Sequence, residues 1–230
     1  MIEDALHALK AGEFILLYDF DNRERETDFA IRADAITPRH IRQMRKDGGG
    51  LICTAVHPRA ASRLGLPFAS EVFGQCLSGV SPSIQGVTER LGDIPYDPKN
   101  RSSFSLWVNH RRTFTGITDN DRSLTITEIA DQVRKSLNGG GQDFKSQFRT
   151  PGHVAILRAA DDLLSQRQGQ TELSVALADA AGVVPAVAIC EMLDDESGLA
   201  LTREDAERYA RRNGLVFVEG AEVLEHWSAP

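Results

Sequence analysis

The chain has 230 residues, 33 of them acidic and 26 basic, for a formal charge of −7. That length suits one large domain or two small ones, and the acidic balance argues against a nucleic-acid binder that works by broad phosphate neutralisation. Hydrophobic residues at 41% and charged residues at 26% are ordinary for a globular chain and exclude a disordered one.

The opening Met1-Ile2-Glu3-Asp4-Ala5-Leu6 is too acidic and too weakly apolar for a signal peptide. Residues 2–11 are predicted as a short helix with Ala5, Leu6 and Leu9 on one face and Gly12 as its stop. Residues 14–18 form an apolar run that reads as a buried strand, and Phe29, Ile31 and Ala33 alternate as in a half-buried one. Between them lies a loop in which Asp19, Asp21, Glu24, Glu26 and Asp28 surround Arg23 and Arg25. Thr37-Pro38 supplies an N-cap and a first-turn proline for a helix to about Lys46, which Gly48-Gly49-Gly50 ends. Residues 51–56 are apolar enough for a buried strand, and a helix is expected over 60–64. Residues 69–101, rich in Gly, Ser and Pro, read as irregular surface structure.

Residues 104–108 alternate as a strand. Thr125-Ile126-Thr127-Glu128 has capping-box spacing and predicts a helix carrying Ile129, Val133 and Leu137 on one face, broken by Asn138-Gly139-Gly140-Gly141. Residues 154–157 are a further strand. A helix over 171–181 turns Leu173, Leu177 and Ala180 inward and stops at Gly182. Residues 187–193 are a buried strand interrupted by Glu191, and 202–212 an amphipathic helix ended by Asn213-Gly214. No apolar run reaches membrane-spanning length. Cys53, Cys76 and Cys190, widely spaced and each in or beside apolar sequence, suit buried thiols in a reducing cytoplasm rather than a disulfide or zinc framework. The expectation is a cytoplasmic α+β protein: one mixed-sheet domain flanked by helices over residues 1–230, with no nucleic-acid or membrane partner.

Chemistry concentrates in a few stretches. Like charges as close as those of residues 19–28 repel, and a divalent cation would offset that repulsion, since Mg²⁺ takes oxygen ligands from one or two carboxylates and water. Arg149-Thr150-Pro151-Gly152-His153 reads as a tight turn presenting a histidine at the entry to a strand. Arg167-Gln168-Gly169-Gln170-Thr171-Glu172 is a glycine-containing turn feeding the strongest helix; free N–H groups, the helix dipole, a hydroxyl and an arginine suit a phosphate, while an ordinary cap with Thr171 at or near the N-cap explains it equally well. Glu191 in an apolar strand needs a partner, because burying a carboxylate costs several kcal/mol. The polar stretch from Asn109 to Arg122 follows a strand, where ligand-contacting loops commonly sit.

In their order these motifs resemble the 3,4-dihydroxy-2-butanone 4-phosphate synthases of riboflavin biosynthesis, from about Ala5 to about Val218. Val108-Asn109-His110-Arg111-Arg112-Thr113-Phe114-Thr115-Gly116-Ile117-Thr118-Asp119-Asn120-Asp121-Arg122 is most similar to the archaeal branch. The resemblance implies a Mg²⁺-dependent lyase, with Mn²⁺ as an alternative ion, that converts ribulose 5-phosphate to 3,4-dihydroxy-2-butanone 4-phosphate and formate. It implies a single α+β domain that dimerises, with sites near the subunit interface. Arg23, Glu24 and Asp28 would contact substrate, residues Arg167, Gln168, Gly169, Gln170 and Thr171 would hold its phosphate end, and Glu24 and Gln170 would ligate the metal. His153 and Glu191 match the family's catalytic pair, with Glu191 also against substrate; Cys53 and Thr113 or Thr115 would line the pocket. Gln170 stands where the family usually has histidine, Phe20 and Asn22 where further acids are common, and Thr27 where glycine is usual. The alternative is a phosphosugar-binding regulatory homologue that has lost turnover through Gln170. A fused GTP cyclohydrolase II half is not expected, since no cysteine cluster has zinc-ligand spacing.

Overall fold

The computed structural model describes residues 2–77, 80, 84, 86–140 and 143–228. Helix α1 (Ile2–Ala11) leads into strand β1 (Ile15–Tyr18), the acidic loop and β2 (Thr27–Arg32). Helix α2 (Pro38–Gln43) runs on as a wider turn, Met44–Gly48, before β3 (Cys53–Val56), α3 (Pro58–Leu64) and α4 (Ala69–Leu77). Then come β4 (Phe104–His110), α5 (Asp119–Leu137), the single turn α6 (Phe144–Gln147) and β5 (Phe148–Arg158). Helix α7 (Gln170–Ala180), β6 (Ala186–Glu191), α8 (Arg203–Asn213), β7 (Val216–Glu219) and α9 (Gly220–Ser228) complete the order.

The strands form one seven-stranded mixed sheet in the order β4-β5-β3-β6-β2-β1-β7. Alternation in the central strands divides the core into two apolar layers. Leu16, Phe29, Ile31, Ile156 and Ala188 face a layer that includes Ile41, Ile126, Ile129, Val133 and Ala206 of α2, α5 and α8. Ile15, Leu17, Ala30, Ala155 and Ile189 face Leu6, Leu9, Leu173, Leu177 and Val223 of α1, α7 and α9. The fold is therefore α+β, with a mixed sheet between helices.

Several local expectations change in the folded chain. β2 is buried on both faces rather than half-buried, because β1 and β6 flank it and helices cover each side. Helix α5 begins at Asp119, six residues before the predicted box. The same Thr-x-x-acid spacing occurs at Thr118 and Asp121, where Thr118 Oγ1 accepts from the Asp121 N–H at 3.2 Å. Thr125 is interior, and its hydroxyl donates to the Asp121 carbonyl at 2.9 Å. Arg149 to His153 is not a turn: it lies within β5, across a register irregularity from β4 and including a cis Thr150-Pro151 bond. The N-cap of α7 is Gly169 rather than Thr171, and Ala180 is exposed because it lies with Asp179 on the outer face of a last turn whose Leu177 and Ala178 pack in the core. Part of the segment read as irregular is helical, as α4, and its Cys76 is exposed rather than buried. Gly141 and residues 78, 79, 81–83 and 85 lie outside the described residues.

Candidate active site

The acidic loop is shaped by its own first carboxylate. Asp19, 1% exposed, accepts the N–H of Glu24 at 2.9 Å and of Glu26 at 3.0 Å, while its own N–H donates to the Glu26 carbonyl. Burial raises the Asp19 carboxyl, and these backbone donors oppose the shift. Tyr18 closes the loop by donating its hydroxyl to Asp21 at 2.7 Å. Asp19 is thus a structural staple, and it leaves Arg23, Glu24, Glu26 and Asp28 to face inward.

These four side chains line a cavity of about 390 Å³ together with Cys53, Tyr96, Arg167, Gln170, Thr171 and Glu191. Strand pairing puts Asp28 directly opposite Glu191, and Cys53 opposite Ile189. Two carboxyls on paired strands disfavour joint ionisation. Asp28 is raised well above the ordinary carboxylate range by complete burial and then by Glu191, Glu24, Glu26 and Asp19. Burial, with help from Glu24, raises Glu26 to about 7. Burial also raises Glu191, against the N–H of Leu51, which donates to its Oε2 at 2.8 Å. The glycine run before Leu51 makes room for that carboxyl, since a Cβ on Gly50 would lie 2.4 Å from Glu191 Oε2. Cys53 has its thiol pushed far up by burial, Glu191 and Asp28, so it is no nucleophile at neutral pH.

Two arginines form the opposite wall. Arg167, 8% exposed, donates to Glu172 at 2.6 Å and has Asp97 at 3.5 Å; Glu172 is fully buried and also accepts the Ala160 N–H. Arg23 pairs with Glu24 at 3.2 Å, reaches the same Asp97 at 3.5 Å and lies over the Tyr96 ring. Gly169 is wedged between them, as a Cβ there would meet Arg167 at 2.3 Å and Arg23 at 2.8 Å. Glutamine, glycine and arginine thus meet at the N-terminus of α7, where anions are favoured.

Gln170 has a divided amide. Its Nε2 donates to the Leu17 and Glu26 carbonyls, both at 3.0 Å, and its buried Oε1 has no hydrogen-bond partner. An orphaned buried acceptor is costly, and a cation or a donor from water or substrate would satisfy it. Among the described residues no three His, Cys, Asp or Glu side chains converge on one point as a ready metal site. One or two carboxylates plus water is the usual Mg²⁺ complement, so Glu24 with Gln170 Oε1 fits that ion.

The other predicted residues stand apart from the lining. Gln168 is exposed. Thr113 and Thr115 commit their hydroxyls locally, to the His110 carbonyl at 2.7 Å and to Asp121 at 3.3 Å. His153 is exposed and hydrogen-bonded to Asn109. Its own N–H goes to the Asn109 side chain rather than to a neighbouring strand carbonyl. The β3–β5 pairing ends at Ala155, and residues 150–153 bulge between the Val108–Val154 and Asn109–Arg149 pairs, so His153 lies beyond the regular ladder. Tyr96 and Asp97 were not expected at the site; they come from the stretch with the weakest pattern. Burial and Glu24 push the Tyr96 phenol up to about 12.

The family model for 3,4-dihydroxy-2-butanone 4-phosphate synthase matches residues 3–226. The synthase of Methanosarcina acetivorans is 54% identical over 97% of this chain and 90% of that protein. The synthase of Archaeoglobus fulgidus is also 54% identical, over 98% and 93%. A solved 3,4-dihydroxy-2-butanone 4-phosphate synthase in complex with two magnesium ions superposes with a TM-score of 0.76 at 27% identity, covering 98% of this chain and 95% of that one. With the match extending through every strand of the sheet, the chain belongs to the 3,4-dihydroxy-2-butanone 4-phosphate synthase family.

Proposed function

We propose that this chain is the Mg²⁺-dependent lyase that converts D-ribulose 5-phosphate to L-3,4-dihydroxy-2-butanone 4-phosphate and formate in riboflavin biosynthesis. The observation that carries the reading is the one cavity in which Arg23 and Arg167, the Asp28–Glu191 pair and the unpartnered Gln170 Oε1 converge. Family membership supports the reaction, and the continuous sheet supports one synthase domain over residues 1–230.

Arg167 and the first N–H groups of α7, with the Thr171 hydroxyl, suit the phosphate end. Arg23 offers a second cation beside them. Glu24 and Gln170 are assigned as the protein ligands of Mg²⁺, with Mn²⁺ as the alternative, in an all-oxygen set. A bound ion supplies Lewis-acid stabilisation of the negative charge that develops on the sugar oxygens. Glu191, raised by burial and oriented by the Leu51 N–H, is suited to exchange a proton with substrate. His153, exposed and outside the cavity of a single chain, is assigned as the second proton carrier by its match to the family's motif. Cys53 serves as a neutral wall.

We assign the chain as a cytoplasmic homodimer. The exposed apolar side chains Trp107, Phe114 and Ile117 near the β4 edge support a second copy there, in keeping with Thr113 and Thr115 lying off the cavity of a single chain. No helix among the described residues is long and apolar enough to cross a membrane.

The test is formate release from ribulose 5-phosphate with Mg²⁺, with and without chelator, in the parent, His153→Gln and Glu191→Gln. Chelator-sensitive formate in the parent and its loss in both variants is expected. Ribulose 5-phosphate binding without formate would reject the lyase reading in favour of a silent binder.

A further inference from the structure

We propose that Asn109 is a positioning residue for this reaction: its side-chain amide fixes the ring of His153 in the tautomer that leaves Nδ1 unprotonated and carries the proton on Nε2. The inference rests on the reading of His153 as a proton carrier.

Asn109 sits where the β4–β5 register shifts, and it is fully buried. Two backbone groups determine which end of its amide is which. The His153 N–H donates to Oδ1 at 2.8 Å, a partner that can only donate. The Thr115 carbonyl faces Nδ2 at 3.3 Å, a partner that can only accept. With the amide so oriented, what lies against the His153 ring is an N–H: Nδ2 is 3.0 Å from Nδ1, closer than Oδ1 at 3.3 Å. Nδ1 is therefore the acceptor in the neutral ring, and its proton is on Nε2. The nitrogen away from Asn109 is the one free to exchange a proton with substrate.

The surroundings are built for this amide. A Cβ on Gly116 would meet the Asn109 side chain at 2.0 Å, and one on Gly152 would lie 2.0 Å from the Val108 backbone. Only glycine lets loop and strand close on Asn109 from both sides. The loop is pinned in turn by Asp121, whose carboxylate accepts the N–H groups of Phe114 at 3.3 Å, Thr115 at 3.1 Å and Gly116 at 2.8 Å. Those donors hold the Asp121 carboxyl below the usual range. An exposed ring on a strand would otherwise sample several rotamers. Here both its backbone and Nδ1 are tied to a buried group, the kind of support that keeps a reacting atom in place.

The experiment is ring ¹⁵N NMR of the full chain with Mg²⁺ bound, with His153 assigned by loss of its signals in His153→Gln, together with formate kinetics. The expected parent spectrum shows Nδ1 unprotonated and Nε2 protonated. Asn109→Asp, which sets a carboxylate against Nδ1, is expected to move the proton to Nδ1 and shift the acid limb of the kcat profile upward by about one pH unit. Asn109→Ala is expected to lose the tautomer preference and lower kcat about 10- to 100-fold with KM within about twofold, the pattern of a lost transition-state arrangement. A parent ring protonated on Nδ1, or an unchanged kcat in Asn109→Ala, overturns the role of Asn109. Full turnover in His153→Gln overturns the reading of His153 itself. The parent spectrum decides the tautomer even where the alanine variant fails to fold.

Discussion

Replacing Glu172 by Gln removes one charge from a deeply enclosed ion pair of the site while keeping the shape of the side chain. The new side chain keeps the length of the old and can still accept the Ala160 N–H that Glu172 now takes at 2.9 Å. It cannot neutralise Arg167, whose Nη1 lies 2.6 Å from Glu172 Oε2 with side-chain exposures of 9% and 0%. Burial works against the Arg167 charge, and Glu172, with Glu24 and Asp97 behind it, more than compensates. Breaking a buried pair from one side costs roughly 3–5 kcal/mol, because the remaining charge is left desolvated. Asp97 stays at 3.5 Å from Arg167 Nε, so the lower end is expected, about 3 kcal/mol. For a chain of this size that is a melting temperature roughly 6–12 °C lower. Urea unfolding of parent and Glu172→Gln at one protein concentration, with Mg²⁺ present, measures it. Sulfate should then stabilise the variant more than the parent, since Arg167 has lost its internal anion. A loss below about 1 kcal/mol, the size of an exposed bridge, would refute the claim that Arg167 is held by a desolvated pair.

Two further predictions concern the metal and pH. Gln170→His replaces an amide oxygen with an imidazole, so calorimetric titration should show Mn²⁺ and Co²⁺ gaining at least about tenfold relative to Mg²⁺; an unchanged ranking would remove Gln170 from the ligand set. The carboxyls of Asp28, Glu26, Glu191 and Asp19 all sit above their unfolded values, so the folded state binds more protons than the unfolded one. Without metal, stability should therefore fall as pH rises, for Glu26 from about 4.5 to about 7. Mg²⁺ should flatten that slope, and urea midpoints across this window with EDTA or Mg²⁺ would show it; stability that rises with pH in EDTA would contradict the carboxylate cluster.

The sheet interior was legible because strands such as residues 14–18, 51–56 and 187–193 are apolar beyond what any surface segment tolerates. β7 was not, since four residues at a sheet edge carry no period and their pairing with β1 is set by contacts across the whole chain. The start of α5 was misread because the same capping spacing recurs at Thr118 and Thr125, and only tertiary packing selects between them. Within the site, the acidic loop, the residues around Gln170 and Glu191 advertised themselves by charge where charge is expensive. Tyr96 and Asp97 did not, as a loop that folds over a cavity needs no amphipathic pattern. Asn109 was visible only as one polar residue among many, its meaning residing in hydrogen bonds to residues 115 and 153.

The pairing of Asp28 with Glu191 joins an early strand, β2, to a late one, β6, near the centre of the sheet. Hairpin β1–β2 can zip early from neighbours in sequence, whereas β6 must wait for a long loop to close. The mutual repulsion of these carboxylates arises only where β6 docks on β2. A divalent ion held by Glu24 and Gln170 would find both ligands only once α7 has docked on β1 and the acidic loop, where Gln170 bonds Leu17 and Glu26. It would act as a late clasp, lengthening the lifetime of the folded chain without hastening its formation.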